Sequence, residues 1–135
     1  MTEYRRVLRF AAAPAVLAGA LLVATASPAS AWVHDGYLEQ FEFGLYWDAG
    51  SRGCVFDSNN DDASLTNDYF TGPSGCGGRG QKVNDNTYSY KNLDINGFHV
   101  YTDINYSGIM GSIPAGYTGD ASQNFKNSIS SLSWY

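Results

Sequence analysis

Past residue 31 the chain breaks into short apolar and aromatic runs with no sustained helical period. The runs are "EFGLYW" (Glu42 to Trp47), "CVFD" (Cys54 to Asp57), "YSYKN" (Tyr88 to Asn92), "FHVYT" (Phe98 to Thr102), "GIMGSI" (Gly108 to Ile113) and "SSLSWY" (Ser130 to Tyr135). Each is bounded by Gly, Asn, Asp, Pro or Ser clusters, the pattern of short strands joined by turns, so the expectation is a small all-β sandwich. One stretch departs from it. Asp57 to Lys82 is polar and glycine-rich, and irregular segments of that length in a compact domain commonly serve as contact surfaces.

Two of the runs belong to a repeat. "LYWDAGSRG" (Leu45 to Gly53) and "VYTDINYSG" (Val100 to Gly108) share a Tyr, an Asp two residues on and a Gly five residues after that. Tyr46 thus answers Tyr101, Asp48 answers Asp103 and Gly53 answers Gly108. A second pair, "NDNTYS" (Asn84 to Ser89) and "KNSISS" (Lys126 to Ser131), follows the first in each half. The chain therefore reads as two tandem copies of one hairpin-based unit. By the period of two, Val100 and Thr102 face one side and Tyr101 and Asp103 the other, with Gly108 where the chain folds back over the Tyr101 ring.

Composition changes this picture at the N-terminus first. Arg5, Arg6 and Arg9 precede the apolar run "FAAAPAVLAGALLVATA", and Ala29-Ser30-Ala31 is a small-x-small cleavage pattern, so residues 1–31 read as a signal peptide and 32–135 as a single domain. Arg5-Arg6 leaves the general and twin-arginine export routes open. Pro14 and Pro28 interrupt the run and no basic flank follows, which argues against a membrane anchor. The remaining segment carries five basic and twelve acidic residues, a net −7, unsuited to nucleic acid or anionic lipid. Its only cysteines, Cys54 and Cys76, are expected to form a disulfide in an exported protein, and a loop of that size contributes on the order of 3 kcal/mol.

Tyr101, Tyr106 and Gly108 resemble the Greek-key signature of the βγ-crystallin fold, and "NDNTYS" and "KNSISS" resemble its paired motif of two Asn or Asp followed by Ser or Thr and a final Ser. Together with "EFGLYWDAGSRG" and "GRGQKVNDNTYSYKN", they make the chain from Phe41 onward similar to small exported bacterial peptidase inhibitors of the actinobacterial metalloproteinase inhibitor type. The resemblance implies a Greek-key βγ-crystallin-like sandwich of two tandem motifs. Ser51 departs from it, standing in the slot of Tyr106.

The same resemblance raises calcium, an ion that takes six to eight oxygens. Tyr88 replaces a hydroxyl of the first motif and Lys126 an Asn or Asp of the second, so Asn84, Asp85, Asn127 and Ser130 remain as candidate weak ligands. Asp57, Asn59, Asp61 and Asp68 also occupy ligand positions of an EF-hand loop, but Asp62 replaces its turn glycine and no helices flank it. No cofactor is required by the sequence. His34 and His99 are the only histidines, "GPSGCG" is not a nucleophile elbow, and no catalytic constellation is legible.

These readings converge on a secreted, monomeric peptidase inhibitor whose bridged segment Asp57 to Cys76 contacts a secreted protease, a metalloprotease by the resemblance, with Leu65, Tyr69 and Phe70 as apolar anchors. The alternatives are a cell-envelope or antimicrobial binding protein using exposed aromatics, and a calcium-stabilised structural module.

Overall fold

The computed structural model describes residues 33–135; the expected signal peptide lies outside the described residues. β-branched and aromatic residues at alternate positions give seven strands: β1 (Phe43–Asp48), β2 (Arg52–Ser58), β3 (Ser89–Asn92), β4 (Phe98–Asp103), β5 (Ser107–Ile113), β6 (Thr118–Asp120) and β7 (Ser131–Trp134). They form two antiparallel sheets, ordered β2-β1-β3-β6 and β5-β4-β7. Six strands fall on the six apolar runs. Only β6, with the sequence Thr-Gly-Asp, has no apolar signature.

The repeat is a structural repeat. Tyr46 pairs with Val55 and Asp48 with Arg52, as Tyr101 pairs with Met110 and Asp103 with Ser107, and each hairpin has an irregularity between its Tyr and its Asp. Gly50, Ser51 and Gly53 take positive φ, and so do Asn105, Tyr106 and Gly108 at the matching positions. A Cβ on Gly108 would press on the Thr102 hydroxyl and the Asp103 carboxylate, so these groups, and not the Tyr101 ring, impose the glycine there. The Tyr106 ring meets Tyr101 edge-on, with centroids 5.8 Å apart.

A serine from the end of each motif holds the hairpin down. Ser89 Oγ donates to Asp48 O at 2.6 Å and accepts from Ser51 N at 2.9 Å; Ser131 Oγ donates to Asp103 O at 2.7 Å and accepts from Tyr106 N at 3.1 Å. The motifs also exchange partners. β6 of the second unit pairs with β3 of the first, while Asp62 of the first forms an antiparallel bridge to Leu132 of the second. This crossing is what makes two hairpin units one domain.

Between the sheets, Phe43, Leu45, Phe56 and Tyr90 meet Phe98, Val100, Ile113 and Leu132, and the Phe43 and Phe98 rings stack at 4.6 Å. Each Phe or Leu buried this way contributes about 1.5–3 kcal/mol. Serine clamps are of comparable worth. Ser89→Ala and Ser131→Ala each leave a part-buried carbonyl and an amide without this partner and should each cost about 1–2 kcal/mol by chemical denaturation, whereas a loss below about 0.5 kcal/mol would show the hairpins fold over without the clamp.

Candidate functional site

The long segment after β2 turns back on the molecule as a fixed strap. A 3-10 turn at Leu65–Asn67 buries Leu65, and Leu65 N donates to Ser130 O at 2.9 Å. Farther on, Val55 and Thr71 exchange both backbone bonds, at 3.0 and 3.1 Å, and Cys54 N donates to Gly77 O at 2.8 Å, so the strap continues the sheet beyond β2. Phe70 N donates to Gln81 O and Gly80 N to Phe70 O, both at 2.9 Å. The disulfide Cys54–Cys76, with Cα atoms 5.1 Å apart, locks the same corner.

Glycine lets the strap lie this close. Gly72 faces the disulfide sulfurs, and a Cβ on Gly78 would overlap the Trp47 indole. Beneath it the Phe70 ring meets Trp47 edge-on at 5.7 Å. What the strap presents outward is the turn Pro73-Ser74-Gly75, fully exposed, followed by exposed Arg79 and Gly80. Cys76 N closes that turn on Pro73 O at 3.1 Å.

The expected apolar anchors divide. Tyr69 is half-exposed, but Leu65 and Phe70 are wholly buried members of the core, so neither reaches a partner. Burial of their apolar area competes with display, and in a domain with so small a core the strap's own apolar residues are drawn inside. Pro73-Ser74-Gly75 and the Trp47 floor were missed by reasoning from sequence. The glycine spacing of "GPSGCGGRG" is the signal that marks them.

The candidate calcium residues also divide. The two motif loops exchange backbone bonds, Asp85 N to Ile129 O at 3.0 Å and Asn127 N to Thr87 O at 2.8 Å, with Asp85 and Asn127 at positive φ. Around the first, Ser130 Oγ donates to Asp85 Oδ1 at 3.2 Å and Asn84 Nδ2 to Asp85 Oδ2 at 2.7 Å, while Asn84 Oδ1 is buried without a partner. These oxygens suit a hard cation. At the second loop, the Lys126 ammonium lies 3.9 Å over the Tyr88 ring, putting a fixed positive charge beside Asn127. The EF-hand positions do not converge: Asp57 accepts from Gly36 N and Asp35 N, and Asp61 from Trp134 N. No group of three or more His, Cys, Asp or Glu able to hold a metal occurs among the described residues.

Comparison with known proteins decides the family. The pattern of peptidase inhibitor family I36 matches residues 39–113, more than half of the chain. The chain belongs to peptidase inhibitor family I36. As such it is an inhibitor and not an enzyme. No curated protein matches it.

The family member's fold is that of the βγ-crystallins. A solved structure described under "Evolution of the eye lens beta-gamma-crystallin domain fold" aligns with TM-score 0.58 and 18% identity, covering 74% of this chain and 90% of that one. A βγ-crystallin from Ciona intestinalis aligns with TM-score 0.54 and 14% identity, over 70% and 99%. A βγ-crystallin domain from Flavobacterium johnsoniae gives TM-score 0.54 and 17% identity, over 69% and 92%. Among the described residues of this I36 member no helix is long and apolar enough to cross a membrane.

One carboxyl within the strap, Asp68, gives it a pH dependence. Burial, then the charge and hydrogen bond of Asp62, push Asp68 up to about 6, and Asp68 Oδ2 is buried with no partner. A raised carboxyl holds its proton more tightly in the folded chain, so the stability it contributes is full below pH 3.8 and is lost as pH rises from there through about 6. Asp68→Asn should therefore raise the melting temperature at pH 8 and change it little at pH 4. Equal shifts at both pH values would remove Asp68 as the titrating group.

Proposed function

We propose that this I36 member is exported and blocks a secreted peptidase with the outward turn of its disulfide-locked strap, Pro73-Ser74-Gly75, flanked by Tyr69. The observation that carries this reading is the double fixation of the strap: the Val55–Thr71 backbone pair and the Cys54–Cys76 bridge hold both ends of an exposed turn. A segment already ordered loses little entropy when it enters a cleft. Export is supported by the basic-apolar-small order of residues 1–31 and by the disulfide. Metalloproteases are the first target class, on the strength of the resemblance to metalloproteinase inhibitors.

Titrating a thermolysin-like metalloprotease and a subtilisin-like serine protease with the purified, oxidised protein should abolish one activity stoichiometrically. Tyr69→Ala should weaken inhibition with under about 0.5 kcal/mol lost in stability, and Phe70→Ala should cost about 3–5 kcal/mol of stability. Retention of both activities at micromolar excess of folded inhibitor would sink the proposal.

Calcium belongs to this reading only as a weak structural ligand, at Asp85, Ser130 and Asn84. Extracellular modules of this kind bind in the range of about 0.1–1 mM. Chelation should leave the melting temperature unchanged, and excess calcium should raise it by a few degrees in the wild type but not in Asp85→Ala. A large drop on chelation would make the ion essential and overturn this assignment.

A further inference from the structure

The two motifs treat one and the same strand edge in opposite ways. Cys54 and Val55 on β2 occupy the positions of Ile109 and Met110 on β5, since Tyr46 pairs with Val55 as Tyr101 does with Met110. Under the strap, Cys54 is 1% and Val55 4% exposed; Ile109 and Met110 are each 52% exposed. Val55 uses its outward N–H and C=O on Thr71. Among the described residues no backbone group pairs with the corresponding edge of β5, which ends its sheet.

This bare edge also lies in the longest uncharged stretch of the acidic segment 32–135. From Ile104 to Gly119 there is no charged residue, and Ile104, Tyr106, Ile109, Met110 and Tyr117 are all exposed. Proteins guard an open edge with lysines, an internal proline or a covering segment, and β5 has none of these. The edge is built to pair.

We propose that its occupant is β5 of a second copy, antiparallel about a two-fold axis through Met110. Three observations select a copy of this chain. Elsewhere the net charge of −7 on residues 32–135 makes like copies repel, and here it does not. Val55, the counterpart of Met110, exchanges two bonds with one residue; an antiparallel two-fold requires that same bonded pair of Met110 with itself. The register then sets each Ile109 opposite the partner's Gly111.

That last match sets apolar groups face to face. Residues opposed in an antiparallel pair project to the same face. Gly111 pairs with the buried Val100 and lines an open crevice of about 280 Å³ between β5 and β6, walled by Tyr90, Tyr117 and Phe125 with Asp120 and Ser122 on its β6 side. The Phe125 ring fills the space over Gly111, so Ile109 of each copy lies against the other's Phe125 ring at the mouth of the crevice. Met110 meets its symmetry mate on the outer face beside Tyr101. In this arrangement the strap turn with Pro73-Ser74-Gly75 stays on the other sheet, at the β2 edge.

Sedimentation of the oxidised protein from about 1 μM to about 1 mM at 0.15 M salt brackets a dimer of this kind. The wild type should reach twice the monomer mass within that range, and Met110→Lys, which places two ammonium groups at the axis, should weaken dimerisation at least about tenfold. Hydrogen exchange supplies a readout without substitution: the Met110 amide should slow with protein concentration while the Val55 amide stays slow throughout. A wild type that remains monomeric, or a Met110→Lys protein that dimerises unchanged with its fold intact, overturns the proposal. Protection of Met110 only on adding a peptidase would also overturn it and give the edge to the enzyme.

Discussion

A single hydroxyl in each motif carries the constraint on which the rest depends. A β-hairpin does not fold over its own sheet unaided, because the turn needs left-handed residues and the bent backbone loses ladder partners. Ser89 and Ser131 meet this need from the far end of each motif, each giving one bond to the carbonyl of an Asp and taking one from the turn. Three of the turn residues at positive φ are not glycine, Ser51, Asn105 and Tyr106, so the clamp also offsets the cost of their backbone conformation. Once the hairpins are folded over, the strands that follow are aimed at the opposite sheet, and the exchange of β6 and Asp62 between motifs follows.

Duplication supplies the frame, and differences between the copies supply the specialisation. One pair of motif loops keeps an acid and a hydroxyl together, Asp85 with Ser130; the other has Asn127 and Tyr88 in their places, with the Lys126 ammonium over the Tyr88 ring. The Lys126 ammonium thus puts a fixed positive charge at the second loop. The edges differ in the same manner. The first motif covers β2 with a strap that the fold also displays, and the second leaves β5 open.

Much of the fold was legible because duplication repeats its evidence. The Tyr-Asp-Gly spacing located both hairpins, and six of seven strands coincide with apolar runs. β6 was invisible because a three-residue strand of Thr, Gly and Asp owes its pairing to β3 and not to its own propensity. The strap was legible as a region but not in detail. "SLTNDYF" gives no period to separate Leu65 and Phe70, which are buried, from Tyr69 between them, which is not; that depends on the Thr71–Val55 pairing, a contact between distant residues. Burial of Asp57 is of the same kind. Its side chain takes the amides of Asp35 and Gly36, and nothing in the polar run around it distinguishes a carboxylate that clasps the chain from one that faces water.

The strap reconciles flexibility of composition with rigidity of form. Between Thr71 and Gln81 there are five glycines, the residue with most conformational freedom to lose, and fixing each residue's backbone costs about 1–2 kcal/mol. In a free loop that cost would fall on the binding step and weaken any complex. Here it is met on folding, by the Val55–Thr71 pair, the Cys54–Gly77 bond, the Phe70 ring beneath Trp47 and the disulfide. The glycines are needed because the strap must pass against Trp47 and the disulfide sulfurs, where side chains do not fit. Closeness to the sheet, rather than chemistry at the exposed turn, is therefore what fixes the shape of this segment before any partner is met.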